Sequence, residues 1–361
     1  MVVDNVIVMN SAGIYAERVT GTVHDNVMMF NGIELFLIDC DVDVMYNQFG
    51  YGRLIEMNEP LASALVQAVD ELLGVSIDLG GLKAPDIDDL LNEAMLSALD
   101  GSVGIYAINS SVCADGNEYG RLQTAVYLMR SDLVFSDVIR TNSFDMRYAN
   151  GTRVLSIPFT VYDGIYAVDS TLTIRNSSIQ VVDDAIFLEN SDALIVDSVF
   201  DAGDFDLYAF RDSEAAVCGD LDKYAIIDSS KLYWLAELTI KVVDQDGWGI
   251  AGALVVVKDA NGRVWSQGTT DRLGVLVAHA PHSLETKNGV NGSLGKSVVT
   301  ASFEDQASSE ASVDVVGDEQ LTMKMTMKKN SVFGMDPLVL GVVALVIIAV
   351  IVGAVMLARK K

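Results

Sequence analysis

The sequence contains few cysteines and few histidines, and these shortages exclude two kinds of site. Cys40, Cys113 and Cys218 are its three cysteines in 361 residues. Because their number is odd and no two lie close together in the sequence, they do not form a disulfide framework. The chain also has three histidines, so a structural zinc site made of cysteine and histidine ligands is not expected.

Positive charge is scarce as well. The chain has 24 Lys and Arg against 50 Asp and Glu, a formal net charge of −26 at pH 7. A surface of this kind repels the phosphate backbone, so no nucleic-acid partner is expected. The charge keeps the protein soluble and suits a salty exterior or a cation-rich environment.

Near the C-terminus there is a long stretch without any charged residue. Residues 337–358 read PLVLGVVALVIIAVIVGAVMLA, and as a helix they would span roughly 33 Å, enough to cross a bilayer. A linker at 330–336 precedes the stretch and a basic tail at 359–361 follows it. Because basic residues favour the cytoplasmic side, we expect a single-pass membrane protein with an extracellular ectodomain.

The first residues, MVVDNVIVMN, have no basic start and carry Asp4 early, unlike a signal peptide. Two interpretations remain open, a missing upstream segment or a tail-anchored protein that faces the cytoplasm. Strand-like repeat sequence from the first residues favours the former. Glycosylation sequons at Asn109, Asn150, Asn176 and Asn291 are compatible with an exterior face.

A short phrase recurs along the first two thirds of the chain. GIYA occurs at 13–16, 104–107 and 164–167, and polar Asn-Ser or Asp-Ser pairs follow most copies. The intervals between successive aromatic residues of the phrase are 21, 21, 18, 21 and 21 residues, measured along Tyr106, Tyr127, Tyr148, Tyr166, Phe187 and Tyr208. A fixed period that holds only strand-length apolar segments predicts a β-solenoid.

The segments GIYAVDSTLTIRNSSI at 164–179 and DAIFLENSDALIVDSVF at 184–200 resemble repeats of the pectate-lyase-like superfamily. The resemblance covers residues 1–51 and 102–235 and implies an all-β fold, a right-handed parallel β-helix. Its members include lyases, hydrolases, adhesins and inert surface proteins, so the resemblance leaves function open.

Residues 52–101 interrupt the repeat. Within them, 60–73 and 86–99 have apolar residues at helical spacing, with Gly80, Gly81 and Pro85 between the two segments. The pattern predicts a small helical insertion between two neighbouring repeats.

Residues 236–329 change character, with strand-like segments separated by Asp-Gly and Asn-Gly turns. This pattern predicts an antiparallel β-sandwich. The run from Val243-Asp244 through Ile250-Ala-Gly-Ala253 to Thr270-Asp271 resembles carboxypeptidase regulatory-like, transthyretin-like domains. That resemblance implies a spacer or adhesion module without catalytic residues.

The aromatic residues of the repeat are the first candidate site. Since neighbours in a strand face opposite ways, inward Ile105, Val126, Ile165 and Ile186 would place the following aromatic residues outside. Rings on one face could bind carbohydrate, or they could be a ladder that only stabilises the sheet. The candidates are Tyr106, Tyr127, Tyr148, Tyr166, Phe187 and Tyr208.

Acidic residues near the start of adjacent repeats are the second candidate site. Carboxylates one repeat apart could share a Ca²⁺ ion or act as acid and base on a polysaccharide. These metal candidates are Asp163, Asp183, Asp184, Asp204 and Asp206. Asp183-Asp184 is faintly similar to the paired aspartates of polygalacturonase-like hydrolases, but those also use a His-Gly element, and the repeat region has only His24. The alternative is a set of solvated carboxylates in turns.

Three hypotheses follow. The preferred one is a non-catalytic, membrane-anchored surface protein whose repeats present a face for polysaccharide or surface proteins. The second is a membrane-tethered, calcium-dependent polysaccharide lyase or glycoside hydrolase. The third is a structural envelope component without a ligand.

Overall fold

The computed structural model describes most of the repeat region and of the domain that follows it. The described ranges are 1–8, 10–29, 31–50, 102–140, 142–147, 153–291, 294–303 and 307–326. The predicted helical insertion at 52–101 and the predicted membrane segment at 337–358 lie outside these ranges, together with the linker at 330–336 and the basic tail.

The secondary structure of the described ranges consists of β-strands, without a helix. The all-β prediction is therefore confirmed for this part of the chain. Likewise, no membrane-spanning helix occurs in these ranges. The chain divides into two compact units, Met1–Leu235 with Pro281–Leu294, and Ala236–Ala280 with the described part of Gly295–Lys361.

Parallel strands build the first unit, and they fall into three rows. The first row contains β1 (Val2–Val3), β4 (Thr20–His24), β7 (Asp41–Met45), β10 (Ser111–Tyr119), β12 (Asp132–Ile139), β16 (Thr171–Arg175), β19 (Asp192–Val196), β22 (Glu214–Cys218) and the start of β24 (Lys231–Val243). The second contains β2 (Val6–Val8), β5 (Val27–Met29), β8 (Gln48–Phe49), the ends of β10 and β12, β17 (Ser178–Val181) and β20 (Val199–Ala202).

The third row is an eight-stranded parallel sheet. It contains β3 (Ala12–Glu17), β6 (Ile33–Ile38), β9 (Val103–Ile108), β11 (Leu122–Met129), β15 (Val161–Val168), β18 (Ile186–Glu189), β21 (Leu207–Phe210) and β23 (Tyr224–Ile226). One strand from each row makes one repeat, and each repeat pairs with the next in register.

The register shows where the chain leaves the repeat and returns to it. Most partners are 21 residues apart, as are Val2 and Val23. Val44 instead pairs with Ala114, across the segment that contains residues 52–101. Phe135 pairs with Ile174 because an antiparallel hairpin of β13 (Asn142–Arg147) and β14 (Arg153–Phe159) lies between β12 and β15. Both insertions therefore leave the stacking of neighbouring repeats intact.

The Asn-Ser and Asp-Ser pairs make the turn that follows a third-row strand. Asp169 and Asn190 have φ values of 50° and 48°, and Asn and Asp tolerate this left-handed conformation better than most residues. The serine after each of them is buried, and Ser170 N donates to Ser191 Oγ at 3.0 Å. The serines that accept such a bond are Ser110, Ser131, Ser170, Ser191, Ser213 and Ser230. This serine ladder pairs buried backbone N–H groups that would otherwise be unsatisfied.

One hydrophobic core fills the first unit, with side chains from all three rows. Leu172 of the first row, Ile179 of the second and Ile165 of the third are each 1% exposed. Because a single repeat cannot bury such residues alone, its stability depends on the neighbouring repeats.

The second unit has its own core and a mixed strand arrangement. The antiparallel sheet contains β25 (Leu254–Lys258), β26 (Val264–Thr269), β29 (Ser297–Phe303) and β30 (Ala307–Val313). By contrast, the later part of β24 pairs in parallel with β31 (Glu319–Lys324), so the prediction of a purely antiparallel sandwich is wrong for this pair. The hydrophobic core contains side chains from both groups of strands, such as Ile240 and Val255. β27 (Val275–Thr286) begins in this unit and ends in the segment 281–294 of the first unit, where it pairs with β28 (Gly289–Asn291).

Candidate functional site

The third-row strands have one buried face and one outward face. Ile105, Val126, Ile165 and Ile186 are at most 1% exposed, which confirms their predicted inward orientation. The aromatic residue that follows each of them is half-buried on the outward face. The alternation arises because successive side chains of a strand point to opposite faces.

The outward aromatic rings form one continuous aromatic column. It contains Tyr15, Phe36, Tyr106, Tyr127, Tyr166, Phe187 and Tyr208, each opposite the next in the sheet register. Centroid distances from Tyr106 to Tyr208 run from 4.4 to 5.1 Å, with interplanar angles of 3° to 7°. These distances match the spacing of about 4.8 Å between paired strands, which places the rings face to face.

Mutual stacking covers the ring faces along the middle of the column. The ring of Tyr166 lies between Tyr127 at 5.1 Å and Phe187 at 4.4 Å. A sugar ring cannot pack on a face that a neighbouring ring already covers. The groups that remain for a ligand are ring edges and phenol hydroxyls, and Tyr106, Tyr127 and Tyr166 place three hydroxyls in adjacent repeats.

The hydroxyls of this column remain proton donors at neutral pH. Burial raises the pKa of Tyr127 and of Tyr166 above the usual value of 10.0, and nearby Glu189 adds to the effect in both. At the N-terminal end, the Tyr15 hydroxyl donates to the Glu17 carboxylate at 3.1 Å, and this bond raises the pKa of Tyr15.

Two differences from the predicted column concern its membership. The prediction for Tyr148 is wrong, because Tyr127 pairs directly with Tyr166 and leaves no strand between them. Tyr148 itself lies outside the described residues. Tyr15 and Phe36 belong to the column and were missed, since Gly13 and Gly32 suggested a spacing of 19 residues, whereas Tyr15 pairs with Phe36, 21 residues on.

The predicted acidic residues do not form one cluster. Asp163, Asp183 and Asp184 are close enough to influence one another electrostatically. Asp183 lies beside Asp204 of the next repeat, and the Asp204 N–H donates to the Asp183 carbonyl at 3.1 Å. Asp206 lies one repeat beyond Ala185 and is buried.

Three of these carboxylates bind the backbone of the following repeat. The Asp163 side chain accepts from the backbone N–H of Asp184 and from the Gln123 side chain. The Asp184 side chain accepts from the backbone N–H of Phe205. Burial raises the pKa of both carboxyl groups, and Asp183 raises that of Asp163 further.

Asp206 is the clearest case of a structural role. It is 3% exposed, and its Oδ2 accepts from the backbone N–H groups of Asp222 at 2.8 Å and Lys223 at 3.1 Å. A buried carboxylate that accepts two backbone N–H groups has little capacity left for a metal ion. Across the described ranges, no three His, Cys, Asp or Glu side chains form a group that could hold a metal. Calcium binding at these positions stays a prediction.

A groove of about 700 Å³ lies along the turns that follow the third-row strands. Its lining residues are Val168, Asp169, Glu189, Asn190, Arg211, Asp212, Asp228 and Ser229. Many of these groups bind one another. Arg211 pairs with Glu189, Ser229 donates to Asp212, and Asn190 Nδ2 donates to Asp169 at 2.5 Å. The groove is therefore a row of mutually paired polar turns.

Comparison with known proteins gives one kind of similarity. No protein-family model matches the chain, and no curated protein matches it. Among solved structures, the shaft pilin SpaA from Lactobacillus rhamnosus GG is similar at 12% identity and a TM-score of 0.20, over 26% of this chain and 48% of the pilin. A double mutant of that pilin gives 14% identity and a TM-score of 0.19 over 26% and 51%. The match spans about half of the pilin's length, and likeness at this level carries no conclusion about function.

Proposed function

We propose that this chain is a non-catalytic, membrane-anchored cell-surface protein whose repeats present a binding face for a polysaccharide or another surface molecule. In this proposal residues 1–51 and 102–235 form a right-handed parallel β-helix. Residues 236–329 act as a spacer similar to carboxypeptidase regulatory-like domains, and residues 337–358 cross the membrane.

The β-helix proposal is supported by the register of the first unit. Three rows of parallel strands continue through neighbouring repeats at a spacing of mostly 21 residues. Continuous ladders of stacked rings and buried serines accompany them. Such in-register columns are what repeated coils of a solenoid produce.

The observation that carries the binding proposal is the row of phenol hydroxyls on the outward face. Tyr106, Tyr127 and Tyr166 occupy successive repeats, and their ring centroids are 4.8 and 5.1 Å apart. Hydroxyls at a regular spacing can donate to the oxygens of a polymer that itself has a regular repeat. Because the ring faces are covered, we expect hydrogen bonding by hydroxyls and contacts with ring edges to provide the affinity.

Replacing these three tyrosines with Phe tests the proposal. Phe keeps the stacked ring and removes the hydroxyl, and Phe36 and Phe187 already occupy the same column. We would measure retention of a panel of polysaccharides by the purified full-length chain in detergent. The proposal predicts retention by the native chain and its loss in the triple variant at unchanged stability. Equal retention by both proteins would contradict binding through the hydroxyls.

A second candidate is a calcium-dependent lyase or hydrolase. It is favoured by the adjacent carboxyl groups of Asp163 and Asp184, which both have raised pKa values, as acid catalysis on a glycosidic bond requires. The same panel, run with calcium and with a chelator, would be assayed for reducing and unsaturated chain ends. Cleavage that depends on calcium and is lost in Asp163→Asn would replace the preferred proposal. No retention and no cleavage by a folded chain would favour a structural component without a ligand.

A further inference from the structure

The first repeat has one side of its strands turned away from the rest of the unit. The pairings of β1, β2 and β3 all run to the following repeat, and β3 is the terminal strand of its sheet. Side chains at this N-terminal edge are well exposed, with Val6 at 62% and Tyr15 at 55%. β3 reads AGIYAE, without the proline or lysine that commonly protects an edge strand from pairing.

An asparagine ladder gives this edge a direction. The backbone N and the Nδ2 of Asn5 both donate to Asn26 Oδ1 at 3.0 Å. Asn26 donates to Asn47 in the same way, also at 3.0 Å, and Asn47 donates to Asn117 at 2.9 and 3.0 Å. Each asparagine oxygen therefore accepts two hydrogen bonds from the repeat that precedes it.

Asn5 Oδ1 has no such donor among the described residues, although it occupies the accepting position of the asparagine ladder. A strand that completes the ladder must run parallel to the first repeat and present a backbone N–H and an amide Nδ2. A second copy that docked edge to edge would bring the same acceptor end against Asn5, so it would not complete the ladder.

Neighbouring repeats pair without a short connection between them. Asn47 and Asn117 are 70 residues apart in the sequence, yet they make the same ladder contacts as Asn26 and Asn47. Pairing therefore depends on complementary strand edges rather than on a short covalent link. A repeat on a separate polypeptide meets the same requirements.

We propose that the N-terminal edge of β1, β2 and β3 binds a parallel β-repeat of another polypeptide. That partner would carry an asparagine opposite Asn5 and an aromatic residue opposite Tyr15. Backbone hydrogen bonds along the edge would provide affinity, and the amide and ring positions would provide register and selectivity. The inference rests on the strand pairing of the first repeat and is independent of polysaccharide binding.

The probe is a labelled synthetic peptide with the sequence of residues 1–19, which carries an asparagine and a tyrosine at the required spacing. Its binding to the full-length chain in detergent would be measured by fluorescence anisotropy. The matched control is the same peptide with leucine in place of that asparagine, and we expect it to bind about tenfold more weakly, because two hydrogen bonds are lost. A scrambled peptide should not bind.

Hydrogen exchange of the complex would locate the binding site. Slower exchange in residues 1–17 on addition of the peptide is the expected result. Absence of binding, equal binding of the leucine or scrambled peptide, or protection elsewhere in the chain would overturn the proposal. So would concentration-dependent dimerisation that buries the same edge and resists the peptide, because the occupant would then be a second copy.

Discussion

Tyr127 and Tyr166 stack face to face with ring centroids 5.1 Å apart, although 39 residues separate them in the sequence. Their planes differ by 3°, because they are direct register partners in a parallel sheet. The contact passes over the hairpin of β13 and β14, which the chain inserts between the two strands. Stacking of this kind adds about 0.5–1.5 kcal/mol per ring pair beyond the area that it buries.

Removing a ring from the middle of the aromatic column should destabilise the first unit. Tyr166→Ala loses two stacking partners, at 5.1 and 4.4 Å, and we expect the free energy of unfolding to fall by about 2–4 kcal/mol. Tyr15→Ala loses one edge-to-face partner and should cost less. Tyr166→Phe should be close to neutral. Urea unfolding would measure all three, and an equal cost at Tyr15 and Tyr166 would contradict a stabilising column.

The serine ladder should depend on the hydroxyl oxygen rather than on the size of the side chain. Ser170 Oγ accepts from the Ser131 N–H at 3.1 Å. Ser170→Val leaves that buried N–H without a partner, so we expect the free energy of unfolding to fall by about 1–3 kcal/mol. Ser178 is exposed on β17, and Ser178→Val is the control that should leave stability nearly unchanged. Similar losses at both positions would show that side-chain volume, not the hydrogen bond, is responsible.

The sequence predicts the repeat well because two local signals coincide in it. Alternation within the GIYA phrase places Ile165 inside and Tyr166 outside, and Asp169 and Asn190 mark the left-handed turns. Where an insertion has nearly the length of a repeat, as between Tyr127 and Tyr166, the period alone cannot reveal it. The sequence likewise shows no difference between a carboxylate that is free to bind a metal and one that binds backbone N–H groups.

Glu34 and Asp137 should make stability depend on pH. Burial raises the pKa of Glu34 to about 7 and that of Asp137 to about 6, from 4.5 and 3.8. A raised folded-state pKa contributes stability that is present below the unfolded pKa and is lost as pH rises through the folded value. We therefore expect the melting temperature to fall as pH rises from about 4 through about 7.

The two neutral variants, Glu34→Gln and Asp137→Asn, should flatten this pH dependence. Asp137 accepts from Asn117 N at 2.7 Å and from the Tyr119 hydroxyl at 2.9 Å, and an asparagine oxygen can replace one of these contacts. Because the net charge of −26 also makes the folded state pH-sensitive, the informative quantity is the difference between variant and native chain. Parallel pH curves for both proteins would contradict a contribution from these carboxyl groups.

The glycine of the GIYA phrase is required by the close approach of the next repeat. A Cβ atom at Gly164 would lie 2.2 Å from the carbonyl oxygen of Ala185, and one at Gly104 would lie 2.5 Å from that of Ala125. Both glycines donate or pair at the point where the backbones of two repeats meet, and Gly164 N donates to the Asp184 carbonyl at 2.9 Å. Relief of the clash therefore means a shift of paired backbone rather than of a flexible side chain.

Gly164→Ala should accordingly lower the free energy of unfolding by about 1–3 kcal/mol, the usual cost of overpacking. Gly21 offers a matched control within the same unit, because a Cβ atom there would meet its nearest neighbour, the Met1 nitrogen, at 3.8 Å. Gly21→Ala should be neutral or slightly stabilising, since alanine restricts the unfolded chain. Equal stability of Gly164→Ala and the native chain would show that the repeats can separate at this point without loss. The strict spacing between neighbouring repeats would then have to come from the stacked rings and the serine ladder alone.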